Sequence, residues 1–129
     1  MSDDLAYNII GCVLKVHSKL GPGLLESVYQ KALIIELDNE CLLAEEEVPL
    51  EIMYDDQNLG IGFRMDILVE DQIVLELKSV SALEKVHFKQ LQTYLKLANK
   101  PMGYLINFNA ESLRIGHEIN RITNINYHE

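Results

Sequence analysis

The chain has 129 residues, 48% apolar and 24% charged, and eleven Lys and Arg against twenty Asp and Glu leave a net charge of −9. A chain of this length buries about two-thirds of the surface its unfolded form exposes, so one domain over residues 1–129 is expected, needing neither a disulfide framework nor a structural metal. No stretch approaches the roughly 18 unbroken apolar residues of a membrane span, the start Met1-Ser2-Asp3-Asp4 is acidic where a signal peptide is basic, and Cys12 and Cys41 lack a CxxC partner, which together predict a cytoplasmic protein with free thiols and no membrane contact.

Leu5, Ile9, Cys12, Val13, Val16 and Leu20 recur at helical spacing and predict an amphipathic helix over about residues 4–19, closed by Gly21-Pro22-Gly23. A second helix is expected from Leu24 to Asn39. From Leu42 to Lys78 the apolar period changes to two. Val48, Leu50, Ile52 and Tyr54 form one strand, and a turn over Asp55 to Gly60 leads to a second through Ile61, Phe63, Met65, Ile67 and Val69. After Glu70-Asp71-Gln72 comes a third strand with Ile73, Leu75 and Leu77, so two antiparallel hairpins are expected. Helical spacing returns from Leu83 to Asn99, with Pro101 marking the exit. Met102, Tyr104, Ile106 and Phe108 alternate as a strand, a short one is expected near Leu113 to Ile115, and the tail from Glu118 is ambiguous. The order ααβββαββ describes an α/β sandwich, a central mixed sheet flanked by helices.

Charge is unevenly spread. Glu36, Asp38, Glu40, Glu45, Glu46, Glu47, Glu51, Asp55 and Asp56 occur with no base among them, which leaves eleven acids against eleven bases elsewhere. Between Lys78 and Lys100 stand Lys85, Lys89 and Lys96 against Glu84 alone. Net charge therefore does not exclude a polyanionic partner, because binding responds to the local field.

The second hairpin carries the chemistry. Keeping both apolar sets on one face pairs odd residues with odd, and the shortest such hairpin has the loop Glu70-Asp71-Gln72. Val69 then pairs with Ile73, Met65 with Leu77, and Asp66 with Glu76. Two facing acids destabilise a sheet unless a positive charge lies between them. Lys78 falls on the same face. The set suits a hard cation such as Mg²⁺, which takes one or two carboxylates and completes its shell with water and phosphate oxygens. It would serve phosphodiester hydrolysis, the lysine holding the nucleophile or the developing oxyanion. The competing account is a pair of outer-face acids with Lys78 simply paired to Glu76.

Asp66, nine intervening residues and Glu76-Leu77-Lys78 resemble the Asp…Glu-x-Lys core of the PD-(D/E)XK nuclease superfamily. Gly23-Leu24-Leu25-Glu26-Ser27-Val28-Tyr29 reads as Gly-x-x-Glu-x-x-Tyr and resembles the signature of the GxxExxY family within it. Val16-His17, Val48-Pro49-Leu50 and His87-x-x-Gln90 before Tyr94-Leu95 extend the resemblance over roughly residues 5 to 115. Met65 stands where the superfamily name has Pro. The resemblance implies a restriction-endonuclease-like fold and a nuclease acting on nucleic acid, most readily DNA, with Mg²⁺ (or Mn²⁺) held by Asp66 and Glu76. It further implies catalysis by Asp66, Glu76, Lys78 and Gln90, and Glu26 as a third metal ligand.

Each supporting residue has a plainer role too. Glu26 shares a helical face with Tyr29, Leu33 and Leu37 directed at the core, and an acid there also answers the helix dipole or completes a cap. Tyr29 is expected to pack with its hydroxyl tied to the site. His17, just off the apolar stripe of the first helix, is a supporting candidate or a structural histidine. His87, Gln90 and Tyr94 put polar atoms on the apolar side of the third helix, where Gln90 would face the sheet. Lys85, Lys89, Lys96 and Lys100 fall within a stripe of about 60° opposite that side, either a solvated face or a track for phosphates. The run Glu45-Glu46-Glu47 reads as a solvated loop entering a strand. The rival from another class is a nucleic-acid or protein interaction module that keeps the fold without turnover. Small size also admits a homodimer or a subunit of a larger complex.

Overall fold

A computed structural model describes residues 3–129; Met1 and Ser2, the first two residues of the acidic start, lie outside it. Helix α1 (Asp3–Leu20) and helix α2 (Glu26–Asn39) precede strands β1 (Ala44–Tyr54), β2 (Gln57–Val69) and β3 (Ile73–Lys78), and helix α3 (Lys85–Ala98) leads to β4 (Met102–Asn107) and β5 (Ile119–Thr123). The five strands form one sheet in sequence order. All neighbours are antiparallel except β3 and β4, which run parallel through the α3 crossover. This is the α/β architecture the periodicities predict.

Two cores follow from strand alternation. Ile9, Val13 and Val16 of α1 and Tyr29, Leu33 and Leu37 of α2 pack against Ile67, Leu75, Leu77, Tyr104 and Ile106 on one face. Leu91, Tyr94 and Leu95 of α3 cover Leu68, Val74 and Leu105 on the other. No helix among the described residues is long and apolar enough to cross a membrane. Cys12 and Cys41 are free, the first buried and the second exposed.

Gly21 ends α1 in the left-handed region (φ 69°), its N–H donating to the His17 carbonyl at 2.8 Å, and Gly23 follows at φ 94°. Only glycine adopts such angles without strain. The loop is then pinned by Tyr29, whose hydroxyl donates to the Gly21 carbonyl at 2.6 Å and accepts from Leu24 N–H at 3.2 Å. Its ring is stacked on Phe108 at 4.4 Å.

Several expectations need correction. The first turn is only Asp55-Asp56, both left-handed (φ 47° and 63°), and β2 starts at Gln57; two positive φ values are what a two-residue hairpin turn requires. Glu45 to Glu47 belong to β1, and Glu46 is anchored to Lys31 at 3.0 Å. The odd residues of β2 do not share one face. Ile67 and Val69 join the α1/α2 core, whereas Met65 and Phe63 pack on the α3 side, and in β1 Ala44 and Val48 divide in the same way. The crossing falls at Glu47, which is left-handed (φ 50°) within the strand. The Leu113–Ile115 strand is not formed: Leu113 and Arg114 are irregular, Ile115 makes only an isolated bridge to Ile119, and a turn follows at Gly116 to Glu118. The Arg114 carbonyl accepts from the N–H groups of His117, Glu118 and Ile119, and the edge strand lies further on, at Ile119–Thr123. Lys100 lies beyond α3 and pairs with Asp71 at 2.8 Å, so the lysine stripe is three residues long.

Candidate active site

The β2–β3 ladder pairs Val69 with Ile73, Leu68 with Val74 and Ile67 with Leu75, and goes no further. At the next level the two acids take over. Asp66 N–H donates to Glu76 Oε1 at 3.1 Å, and Leu77 N–H donates to Asp66 Oδ2 at 2.8 Å. Carboxylates stand in for the carbonyl acceptors of a regular ladder, so no backbone donor is orphaned where the strands part. One oxygen of each carboxyl group is committed to the opposite strand, and the two side chains are also hydrogen-bonded to each other.

Electrostatics set this pair apart. Glu76 is almost fully buried, and burial together with the neighbouring Asp66 carboxylate pushes its pKa up to about 9. Asp66 is raised as well, first by burial, against the opposing Leu77 N–H bond, and further by the Glu47 and Glu26 carboxylates. Lys78 pulls both acids down. It takes part in no ion pair among the described residues. The plain account of Lys78 as the partner of Glu76 therefore fails, and its charge stands beside the pair uncommitted. Burial and both acids raise the Tyr94 hydroxyl to about 12, which marks the α3 wall of the site.

The end of β3 is held on both sides. Asn107, next to Lys78 in the parallel β3–β4 register, donates from Nδ2 to the Val80 carbonyl at 3.0 Å and accepts from Val80 N–H at 3.1 Å. Ser79 Oγ donates to the Leu24 carbonyl at 2.7 Å, which joins the exit of β3 to the glycine loop pinned by Tyr29.

The other predicted residues divide. Glu26 is the first residue of α2 and exposed; it does not point into the core with Tyr29, Leu33 and Leu37. It acts on Asp66 through its field, and as an acid in the first turn it answers the helix dipole. Among the described residues no three His, Cys, Asp or Glu side chains gather closely enough to hold an ion, so the three-ligand set Glu26, Asp66 and Glu76 is not assembled. Gln90 is half-buried, one turn before Tyr94 on the same flank of α3, with no hydrogen bond to the acids. Tyr29 is tied to the glycine loop and not to the acids. The buried His17 donates from Nε2 to the Ala110 carbonyl at 2.6 Å, away from the acids. His87 Nδ1 accepts from Glu84 N–H at 2.9 Å and serves as a helix cap.

Two contributors were not singled out from the sequence. Glu47 hides inside an acidic run, and only the register, with Glu46 opposite Ile67 and Val48 opposite Met65, sets it across from Asp66. Asn107 carries a readable signal, a polar residue between Ile106 and Phe108 at the end of an apolar strand.

The family model described as the PD-(D/E)XK nuclease superfamily matches residues 3–122. The chain belongs to that superfamily. Its members are generally nucleases that use divalent metals, which agrees with a nuclease-type function and nucleic acid as partner. No curated protein and no solved structure gives a significant match.

Proposed function

We propose that the chain is a Mg²⁺-dependent nuclease of the GxxExxY group, one domain over residues 1–129, hydrolysing phosphodiester bonds in DNA with Mn²⁺ as an effective substitute. The observation that carries this reading is the crossed bonding of Asp66 and Glu76, which holds two carboxyl groups together beside Lys78, an ammonium in no ion pair among the described residues. Two oxygen ligands are what Mg²⁺ takes from a protein when water and phosphate supply the rest, and an all-oxygen set does not favour Zn²⁺. Asp66 and Glu76 would hold the ion. When bound, it lowers the pKa of a water and offsets charge on the phosphate.

The remaining work falls to the chain's own groups. Lys78 holds the attacking water and stabilises negative charge as it develops on the phosphate oxygens. Its uncommitted ammonium suits both tasks, since a lysine locked in an ion pair would have to break that pair first. Gln90 offers its amide to the substrate from the α3 wall, while Glu26 and Glu47 favour cation over anion at the mouth before the metal arrives. Pure binding needs none of this acid-acid-lysine arrangement. The test is cleavage of labelled single- and double-stranded DNA and RNA with and without Mg²⁺ or Mn²⁺, with Lys78→Ala as control. Metal-dependent cleavage that disappears in the variant supports the reading, and no cleavage of any substrate by wild type refutes it.

A further inference from the structure

A groove of about 390 Å³ lies between the outer side of α3 and the end of β5 with the segment that follows it. Lys89, Gln92 and Lys96 form its helix wall, and Thr123, Ile125 and Asn126 the other. This wall is built into the fold. Asn124 donates from Nδ2 to the carbonyls of Leu95 at 3.1 Å and Lys100 at 2.9 Å, and its Oδ1 accepts from Asn126 N–H at 3.0 Å. Asn99 secures the tail further along by donating to the His128 carbonyl at 2.7 Å.

The groove is cationic in an acidic protein. Neither Lys89 nor Lys96 takes part in an ion pair among the described residues, whereas Lys15, Lys19, Lys31 and Lys100 all do. Near this end of α3, Asp71 is occupied by Lys100 and Glu129 follows the His128 held by Asn99, while Glu84 lies at the opposite end of the helix. The C-terminal end of α3 opposes an anion with roughly half a negative charge. Two ammonium groups outweigh it. Gln92, Thr123 and Asn126 add neutral hydrogen-bonding groups, and Ile125, 91% exposed, offers an apolar surface.

We propose that this groove binds the sugar-phosphate backbone of a single nucleic-acid strand, with Lys89 and Lys96 on successive phosphates and Ile125 against a sugar or base. Its volume is that of a small-ligand pocket, which takes in a nucleotide unit and not the width of a duplex. That the same strand continues to Asp66 and Glu76 rests on the nuclease reading; the affinity of the groove for a polyanion does not.

The test uses a fluorescein-labelled DNA oligonucleotide, single-stranded or annealed to its complement, titrated with the full chain in EDTA at about 50 to 200 mM KCl. Wild type is compared with Lys89→Gln/Lys96→Gln, and Lys96→Gln with Lys85→Gln, which removes the same charge from α3 outside the groove. The double variant should bind the single strand about tenfold more weakly at the lower salt, and its salt slope should fall by about 1.4, near 0.7 for each phosphate left without its lysine. Lys96→Gln should cost more than Lys85→Gln. An unchanged slope in the double variant, equal effects of the two single variants, or no binding by wild type overturns the groove. Tighter duplex binding with the same weakening overturns its assignment to a single strand. Metal-dependent cleavage by wild type with an unchanged slope sinks the groove and leaves the nuclease reading standing. A reduced slope without cleavage by wild type does the reverse.

Discussion

Asp66 and Glu76 face each other across two antiparallel strands, and the Glu76 carboxylate accepts the main-chain N–H of Asp66 at 3.1 Å. The strands are thus joined through the acids where ordinary pairing stops at Ile67 and Leu75. The arrangement fixes the geometry of a buried pair with no cation in contact among the described residues, and a strong pH dependence follows.

Glu76 is raised to about 9 by burial and by Asp66. A carboxyl whose folded pKa lies above its unfolded value binds more protons in the native state, so its stabilising contribution is complete below about pH 4 and is lost as pH rises towards 9. Urea denaturation in EDTA should therefore show stability falling from pH 5 to pH 9. Glu76→Gln, which cannot ionise, should flatten that profile and gain on the order of 1–3 kcal/mol over wild type at pH 8. A wild-type profile flat over this range would contradict the buried pair.

A divalent ion should reverse the effect. Binding only to the native state stabilises by RT ln(1 + [L]/Kd), about 1.4 kcal/mol at ten times Kd. Thermal melts at pH 8 should shift upward with millimolar Mg²⁺ or Mn²⁺, and Asp66→Asn should abolish the shift. Calorimetry in buffers of different ionisation enthalpy should show a proton released on binding, since the pair must ionise fully to take up the metal.

Much of this site was readable because strand alternation is a strong constraint. Val69 pairs with Ile73 across Glu70-Asp71-Gln72 as the odd-to-odd rule requires, and that alone brings Asp66 opposite Glu76. The rule fails at Met65, which joins the α3 core at the level where the paired strand β1 is left-handed at Glu47, and a glutamate in a strand gives no warning of a positive φ. The last strand escaped for a different reason. Ile119 serves the α1/α2 core and Ile122 the α3 core, so its buried residues are three apart and show no period of two. Leu113, Arg114 and Ile115 alternate well but have no strand partner among the described residues beyond the single Ile115–Ile119 bridge, because the chain turns back at once, with His117, Glu118 and Ile119 donating to the Arg114 carbonyl. The helical face assigned to Glu26 was set by the rotation of α2, yet the helix begins at that residue, where the chain is still leaving the loop.

Tyr29 acts as a loop pin. Tyr29→Phe keeps the stack on Phe108 but removes the donor to Gly21 and the acceptor for Leu24. It should destabilise by about 1–3 kcal/mol in chemical denaturation. Tyr29→Ala, which also removes the ring, should cost about 3–5 kcal/mol.

Asn107 positions the exit of β3 through its two bonds to Val80. Asn107→Ala should cost about 1–2 kcal/mol, because the half-buried Val80 N–H loses its partner while the Val80 carbonyl keeps the Asn109 Nδ2 donor at 3.3 Å. Asn107→Asp keeps the acceptor and removes the donor, so it should recover part of that cost. If Asn107 also positions Lys78, turnover should fall in both variants with little change in KM.

The central claim is that Lys78 acts on charge that develops during phosphodiester hydrolysis at the Asp66–Glu76 pair. The most direct measurement is single-turnover cleavage of labelled DNA with Mn²⁺ by wild type and Lys78→Ala, alongside their DNA affinities in EDTA. The account predicts that the variant is slower by at least about two orders of magnitude, in the range seen when one charge-stabilising donor is removed, while affinity falls only a few-fold, because one phosphate contact is a small part of a polyelectrolyte interface. Equal cleavage rates in wild type and Lys78→Ala would contradict it.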